Sequence, residues 1–494
     1  MEINFRPYQS QSLDSLRLGF KDGHARQVLA ASTGSGKSII ALGMIESAKN
    51  KGSRVMFVCD RRVLVDQFSR HLDRHGIDHG VFMAGHWRYR PSEKIQVASI
   101  QTLEKMQEWP LVDLIIVDEI HAVMRKSLKR FMDNNPARKV LGLTATPYQP
   151  DLPSYFSNVV NVITMKELVS NKYLVPFRVF IAKEIDTTGV KITGGEWQKD
   201  ELEQRGLQVV GDVVSDYIKI SQSVFGKYKK TICFSSGVAH GIALARQFEE
   251  NGLKFVPISY LDDEDFKKDV LEEFAKPDTD INGIISSEIL TRGFDQTDVE
   301  HVIVAKPLRK SFSMHVQIVG RGARPHQGKD FCVIQDNSGN WLRFLEDWEQ
   351  LYEEGTKDLG QNKDEKPRKE PTEKEKKEAK CPACGALWPR GSDTCAHCGH
   401  VRERKSMVQS VPGEMEELGS MSRDDKQAWW SMCQYKVQIE GWSEGRAAHT
   451  FKDKFGTFPR SLKSGTISPP TKEFEKFVRH RLMVYLKGTR GSAK

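Results

Sequence analysis

The chain has 494 residues, 38% of them hydrophobic, which is enough for buried cores in roughly three to five domains. No run approaches the roughly 20 apolar residues of a membrane helix, and MEINFRPYQS lacks a signal-peptide core; a membrane protein and a secreted disulfide scaffold are both disfavoured, and a cytoplasmic location is expected, the host cytoplasm if the protein is viral. The net charge of +8 is uneven, because residues 401–494 carry 18 Lys and Arg against 11 Asp and Glu and leave the first 380 residues close to balance.

In chain order, Val28-Leu29-Ala30 reads as a strand entering the loop ASTGSGKS, and Ser38-Ile39-Ile40-Ala41-Leu42 leaves it with helical apolar spacing. Ala31, Ser32, Thr33, Gly34, Ser35 and Gly36 form a phosphate cradle: glycines turn backbone N–H groups toward phosphate oxygens, and the following helix adds the positive end of its dipole. Lys37 then reaches the β/γ-phosphates of ATP and the Ser38 hydroxyl ligates Mg²⁺. Ala31 stands where the general pattern has glycine, and in isolation the loop also reads as a Gly-Ser turn. Further on, Leu114-Ile115-Ile116-Val117 suits a buried parallel strand and delivers Asp118-Glu119 at its carboxyl end, where open α/β sheets bind ligands. Asp118 is placed to hold the metal through water, and Glu119 to orient and deprotonate the attacking water.

A second lobe follows. Residues 231–236, Gly283-Ile284-Ile285 and 302–305 read as strands, and 238–250 and 264–275 as helices. Among them lie LTRGFD, residues 290–295, and QIVGRGAR, residues 317–324. Arg321 and Arg324, three apart, are expected on one face of a helix, where two guanidiniums stabilise charge developing on a γ-phosphate. A basic surface helix is the plain alternative.

The order of these motifs resembles superfamily 2 helicases and translocases over about residues 3–340. Arg6-Pro7-Tyr8-Gln9 is similar to the Q-motif region and ASTGSGKS to motif I, where alanine in first place is usual. The run from Val58 to Gln67 resembles motif Ia, and Ser99-Ile100-Gln101-Thr102-Leu103 the neighbouring strand-contacting element. DEIH, Thr144-Ala145-Thr146-Pro147, LTRGFD and QIVGRGAR match motifs II, III, V and VI. The resemblance implies an α/β protein of two tandem RecA-like parallel-sheet lobes with ATP in the cleft. Residues 1–165 would form lobe one, 166–204 the connection and 205–345 lobe two. Gln9 would read adenine; Lys37, Ser38, Asp118 and Glu119 would face Gly293, Asp295, Gln317, Arg321 and Arg324 across the cleft. It further implies coupling through His121, Thr144 and Thr146, and nucleic-acid contacts at Arg61, Arg62, Gln101, Thr102, Thr291 and Arg292. DEIH with RPYQ leans toward DNA rather than RNA.

Residues 346–380 are expected to be a charged linker, since Lys363–Lys380 is almost wholly charged and broken by Pro367 and Pro371. In 381–400, Cys381, Cys384, Cys395 and Cys398 form two CxxC knuckles, the pattern of a structural Zn²⁺ ribbon with His397 or His400 as substitute ligands. Cys59, Cys233 and Cys332 lie in apolar runs and read as buried hydrophobes. Residues 401–494 are expected to form a basic, mainly helical domain that binds nucleic acid or a partner; their aromatics, Trp429 and Trp430 among them, either build its core or stack on bases. The segment FKDKFGTFP resembles tails of phage-type helicases.

The expected function is an ATP-dependent DNA helicase or translocase in replication or recombination, with replication or recombination proteins as candidate partners of the tail and no membrane association. The alternatives are a duplex remodeller of the branch-migration or restriction kind, and an ATP-switched nucleic-acid-binding adaptor.

Overall fold

The computed structural model describes residues 3–182, 209–210, 213–287, 296–308, 311–356, 359, 398, 410–411, 415–417, 423–455, 458–459, 462–471, 474–475 and 477–478. Its first seven strands are β1 (Arg26–Ala30), β2 (Val55–Cys59), β3 (Gly80–Phe82), β4 (Ile95–Ser99), β5 (Leu114–Val117), β6 (Lys139–Thr144) and β7 (Asn158–Val160). They form one parallel sheet in the order β3-β4-β2-β5-β6-β1-β7. Successive strand residues point to opposite faces, so Val55, Phe57 and Cys59 enter one core while Met56 and Val58 enter the other. Runs as apolar as VMFVC and LIIV therefore need cover on both sides.

Helices supply that cover. On the first face α1 (Pro7–Lys21), α2 (Lys37–Asn50) and α3 (Arg62–Arg74) bury Leu13, Leu16, Ile40, Leu42, Phe68 and Leu72. On the second, α4 (Ile100–Glu104), α5 (Ile120–Val123), α6 (Lys126–Asn134) and α7 (Leu152–Tyr155) bury Leu103, Ile120, Leu128, Phe131 and Leu152. Each such side chain contributes about 1.5–3 kcal/mol when fully buried. A further short helix, α8 (Met165–Ser170), is opened by a capping box in which Thr164 Oγ1 accepts from the Glu167 N–H and Glu167 bonds back to the Thr164 N–H.

The second sheet contains β8 (Phe177–Ala182), then, after the short β9 (Val209–Val210), β10 (Thr231–Ser235), β11 (Phe255–Ile258), β12 (Gly283–Ser286), β13 (His301–Ala305) and β14 (Cys332–Asp336). With β15 (Ser410–Val411) pairing only β9, the sheet closes at β16 (Met415–Glu417) in the order β11-β12-β10-β13-β14-β8-β16. Strand β8 comes from the stretch read as inter-lobe connection. FRVFIA is a strongly strand-prone run, and it pairs in parallel with β14 from Cys332↔Phe177 to Asp336↔Ile181. The helices of this lobe are α9 (Val213–Phe225), α10 (Val238–Glu250), α11 (Glu264–Ala275) and α12 (Phe312–Val319), with α13 (Asn340–Arg343) and α14 (Leu345–Glu354) after β14.

The chain divides into two compact units, residues 1–340 with 347–416 and residues 341–346 with 417–494. In the second, α15 (Arg423–Glu440) and α16 (Glu444–Phe455) share an apolar cluster in which Trp429, Trp430, Phe451, Phe455 and Phe474 are buried. These aromatics build a core, and Trp442 lies under the Arg446 guanidinium at 4.0 Å. Cys59, Cys233, Cys332 and Cys433 are all buried. Among the described residues no helix is long and apolar enough to cross a membrane.

Candidate active site

The sheet order explains why residues far apart in sequence meet. Because β6 lies between β5 and β1, the loops leaving these three strands share one carboxyl edge. Ala30 is in register with Thr144, Val117 with Gly142, and the Ala31 N–H donates to the Thr144 carbonyl at 2.9 Å. Ala31 thus continues a ladder before the loop turns. Gly34 and Gly36 then take φ of +82° and +83°, a region that favours glycine. A Cβ on Gly36 would stand 2.5 Å from Gln9 Nε2.

The loop is held from outside as well. Gln9 Nε2 donates to the Ser35 carbonyl at 3.3 Å, its Oε1 accepts from the Arg6 N–H at 2.9 Å, and the Tyr8 hydroxyl donates to the Ser35 carbonyl at 2.6 Å. Burial raises the Tyr8 pKa, so its proton stays on as a donor. The Tyr173 ring lies 5.3 Å from that of Tyr8, with the Arg6 guanidinium 4.6 Å from its centroid. Tyr8 could have been weighed from its place in RPYQ, whereas nothing local marks Tyr173.

Lys37 opens α2, its Nζ donating to the Ala31 carbonyl at 3.2 Å and standing 4.0 Å from Glu119 Oε1. At that spacing two unit charges attract by about 4 kcal/mol at an effective dielectric near 20, less the cost of desolvating both. Glu119 is one of two non-glycine residues at positive φ among the described residues, at +46°. Such a conformation costs on the order of 1–3 kcal/mol and persists only where surroundings impose it. Burial, then the neighbouring Glu119 charge, pushes the Asp118 pKa up, and Lys37 partly opposes them.

His121 joins these groups to the second lobe. Its Nδ1 is 2.8 Å from Thr144 Oγ1 and 3.4 Å from Glu119 Oε2, while its Nε2 is 3.1 Å from Gln317 Nε2. The amide nitrogen can only donate, so Nε2 accepts and Nδ1 carries the proton of a neutral ring. Thr144 Oγ1 also accepts from the Thr146 N–H at 2.9 Å. The buried hydroxyls of Thr146 and Ser35 have no hydrogen-bond partner among the described residues.

Arg321 and Arg324 are not on a helix, contrary to expectation. Helix α12 ends at Val319, and the chain turns through Gly320-Arg321-Gly322. The turn has room only for glycine at 320 and 322: a Cβ on Gly320 would lie 2.7 Å from Thr33 Cβ, and one on Gly322 2.3 Å from Cys332 Sγ. The turn brings Arg324 Cγ within 3.4 Å of the Cβ position of Gly34, while Arg321 is buried. Tyr148, just beyond Pro147, meets Phe312 of α12 with ring centroids 5.6 Å apart, a second contact between lobes with no signal in the local sequence.

Gln9, residues 31–38, Asp118, Glu119, His121, Thr144, Gln317 and Arg324 therefore surround one cleft. Its paired glycines, helix N-terminus, lysine and two carboxylates suit a nucleoside triphosphate with a divalent cation, for which Ser38 and Asp118 offer oxygen atoms. Arg62, Gln101 and Thr102 line a separate open cavity of about 500 Å³, and Arg61 immediately precedes α3. Thr291, Arg292, Gly293 and Asp295 lie outside the described residues, as do Cys381, Cys384 and Cys395; Cys398 is exposed. Among the described residues no three His, Cys, Asp or Glu cluster as metal ligands.

Residues 2–149 match the family described as type III restriction enzyme, res subunit, and residues 216–326 the helicase conserved C-terminal domain. A 51.5 kDa protein of a Lactococcus phage (isolate 7-9) is 25% identical over 380 residues, covering 74% of this chain and 76% of its own. The type I restriction enzyme EcoAI endonuclease subunit of Escherichia coli is 26% identical over 379 residues, 67% of this chain and 46% of its own. The structure of the type ISP restriction-modification enzyme LlaBIII bound to DNA has a TM-score of 0.53 at 18% identity, over 68% of this chain and 28% of that one, a likeness of fold. The chain thus spans about three quarters of the phage protein but less than half of the other two.

Proposed function

Because the chain belongs to the superfamily 2 helicase family of the ResIII type, and so is an ATP-hydrolysing enzyme, we propose that it is a DNA-directed motor whose two lobes close on ATP and reopen after hydrolysis to step along the strand. The observation that carries this is the His121 bridge, which ties the hydrolytic Glu119 to Gln317 of the opposite lobe.

In this reading the loop amides and the α2 N-terminus hold the phosphates, and Lys37 leaves Glu119 for the β/γ-oxygens. That move frees Glu119 to accept the proton of the attacking water while His121 holds the carboxylate in line. Ser38 and Asp118 would hold Mg²⁺, which would supply neutralisation of phosphate charge. Arg321 and Arg324 stabilise the charge that develops on the transferred group, and Gln9 reads the adenine edge. Thr146, with its unpartnered hydroxyl, and Thr144 convey the phosphate state to His121. Arg61, Arg62, Gln101, Thr102, Thr291 and Arg292 contact the strand. A role in phage DNA replication or recombination, in the host cytoplasm, fits the phage relative.

The restriction-enzyme relatives favour a second reading, a translocase that runs on duplex DNA without separating it. ATPase stimulation by single-stranded DNA, duplexes, forks, four-way junctions and RNA decides among these. Stimulation by DNA above RNA is expected, a response to duplexes without fork unwinding selects the second reading, and no stimulation by any nucleic acid rejects both. For the tail, Cys381, Cys384, Cys395 and Cys398 are taken to close a zinc ribbon between the expected 346–380 linker, of which α14 takes up residues 346–354 with Trp348 and Leu351 buried, and a nucleic-acid- or partner-binding unit. Replacing Cys381 and Cys384 should remove one equivalent of zinc by metal analysis; unchanged metal content rejects the ribbon.

A further inference from the structure

The loop after β3, Gly85-His86-Trp87-Arg88-Tyr89-Arg90, belongs to none of the motifs above. Trp87 is 79% exposed and Tyr89 58% exposed. One exposed aromatic side chain in a surface loop is ordinary, but this loop is built to stay where it is. Arg88 Nη1 reaches Asp73 Oδ1 at 2.5 Å and His79 Nε2 at 2.8 Å, and the Arg90 guanidinium pairs with Asp78. His79 is fully buried, with Nδ1 2.9 Å from the Ile77 carbonyl, so that nitrogen carries the proton and Nε2 accepts from Ser69 Oγ at 2.7 Å, while Arg88 Nη1 packs against the ring, 2.8 Å from Nε2 and 3.3 Å from Nδ1. The Arg88 carbonyl accepts from the Val81 N–H at 3.0 Å, and His86 Nε2 lies 3.3 Å from Asp66 Oδ1.

The rings on this anchored base face outward. Tyr89 is braced edge-on against the buried Phe82, centroids 5.7 Å apart. Trp87 lies beside the His86 ring at 5.7 Å, with the Arg88 guanidinium 4.7 Å from its centroid. The first residues of the same loop, Met83 and Ala84, form part of the wall of the cavity that also holds Arg62, Gln101 and Lys105. The loop thus runs from a cavity wall that carries Arg62 and Lys105, with Asp60, to two solvent-facing rings. That is the chemistry of a base-stacking surface: phosphate neutralisation brings the strand in, and an aromatic face takes a base of any sequence.

We infer that Trp87, with Tyr89 beside it, is a stacking platform for an unpaired base of a single-stranded segment lying in the Arg62–Lys105 groove. The inference rests on the reading of the chain as a nucleic-acid motor. A base inside a duplex is already stacked on both sides, so the platform distinguishes single strands from duplexes and would hold a base just freed from its partner.

The test is fluorescence anisotropy of the full chain with labelled oligothymidine and with a blunt duplex, comparing wild type, Trp87→Ala, Trp87→Phe and Tyr89→Ala. Trp87→Ala should weaken oligothymidine binding about tenfold, equivalent to about 1.4 kcal/mol, with little change for the duplex. Trp87→Phe, which keeps an aromatic face, should recover most of that loss, and Tyr89→Ala should fall between. Equal loss on both substrates, or no loss on either, overturns the platform. If wild type binds neither probe and no nucleic acid stimulates its ATPase, the motor reading fails; wild-type binding that Trp87→Ala leaves unchanged removes the platform alone.

Discussion

The two lobes are made alike, each around a seven-stranded sheet, yet they bring their chemistry to the cleft in different ways. Lobe one presents Asp118, Glu119 and Thr144 at or directly after strand ends, where backbone hydrogen bonds set every Cα, and Lys37 at the first residue of α2. Lobe two presents Gln317 from the last turns of α12, and Arg321 and Arg324 from the glycine turn beyond it. A site at strand ends is rigid and suits binding and hydrolysis. A turn seated on the other lobe's phosphate loop through Gly320 and Thr33 holds only while the lobes touch, which suits sensing closure.

The largest effects should separate binding from sensing. Lys37→Ala, Glu119→Gln and Arg324→Ala should each lower nucleic-acid-stimulated turnover by about 10³-fold. Only Lys37→Ala should also lose ATP affinity by equilibrium binding. If Arg324→Ala loses binding to the same degree, the division between lobes is wrong.

A smaller effect is expected at the seam. In Gly320→Ala the new methyl meets Thr33 Cβ at 2.7 Å and the Val316 carbonyl at 2.9 Å, so the turn must shift away from the Thr33 loop, and steady-state kinetics should show kcat down about tenfold, since misplacement is costly to oriented groups. Thr33→Gly, which removes both Thr33 carbons that the new methyl meets, should restore part of the loss in the double variant. No recovery would mean that Gly320 acts locally.

The smallest effect concerns protons. Burial raises the Asp118 pKa, so as pH falls from neutrality the carboxyl protonates before an ordinary aspartate would and releases metal. Activity at limiting Mg²⁺ should therefore rise with pH between the usual carboxylate range and neutrality. Excess Mg²⁺ competes with the proton and should move that rise to lower pH. A profile indifferent to Mg²⁺ would show that Asp118 does not bear on the metal.

How much could be read in advance follows the same divide. ASTGSGKS and DEIH are legible because a phosphate cradle and a strand-end carboxylate pair are built from consecutive residues. The strands at 231–236 and 302–305 and the helix at 238–250 are legible from apolar runs and helical spacing, and all are present. The helical placement of Arg321 and Arg324 failed, because three-residue spacing says nothing about Cys332 and Thr33, against which the turn after the helix packs with room only for glycine at 320 and 322. The placement of Phe177–Ala182 in the second sheet was missed for a like reason: a strand-prone run does not name its partner, and β14 lies some 150 residues on.

By itself, then, the sequence determined the local chemistry: a loop that can cradle phosphates, acids that follow a strand, and a family membership carried by ordered motifs. Tertiary structure alone decided that β6 sits between β5 and β1, that His121 spans 196 residues of sequence to meet Gln317, and that Trp87 stands exposed on a loop whose first residues wall the cavity lined by Arg62 and Lys105. The reason is physical. A turn or a strand end depends on neighbours along the chain, whereas strand order and contact between lobes depend on which apolar faces bury one another, and no local pattern encodes that choice.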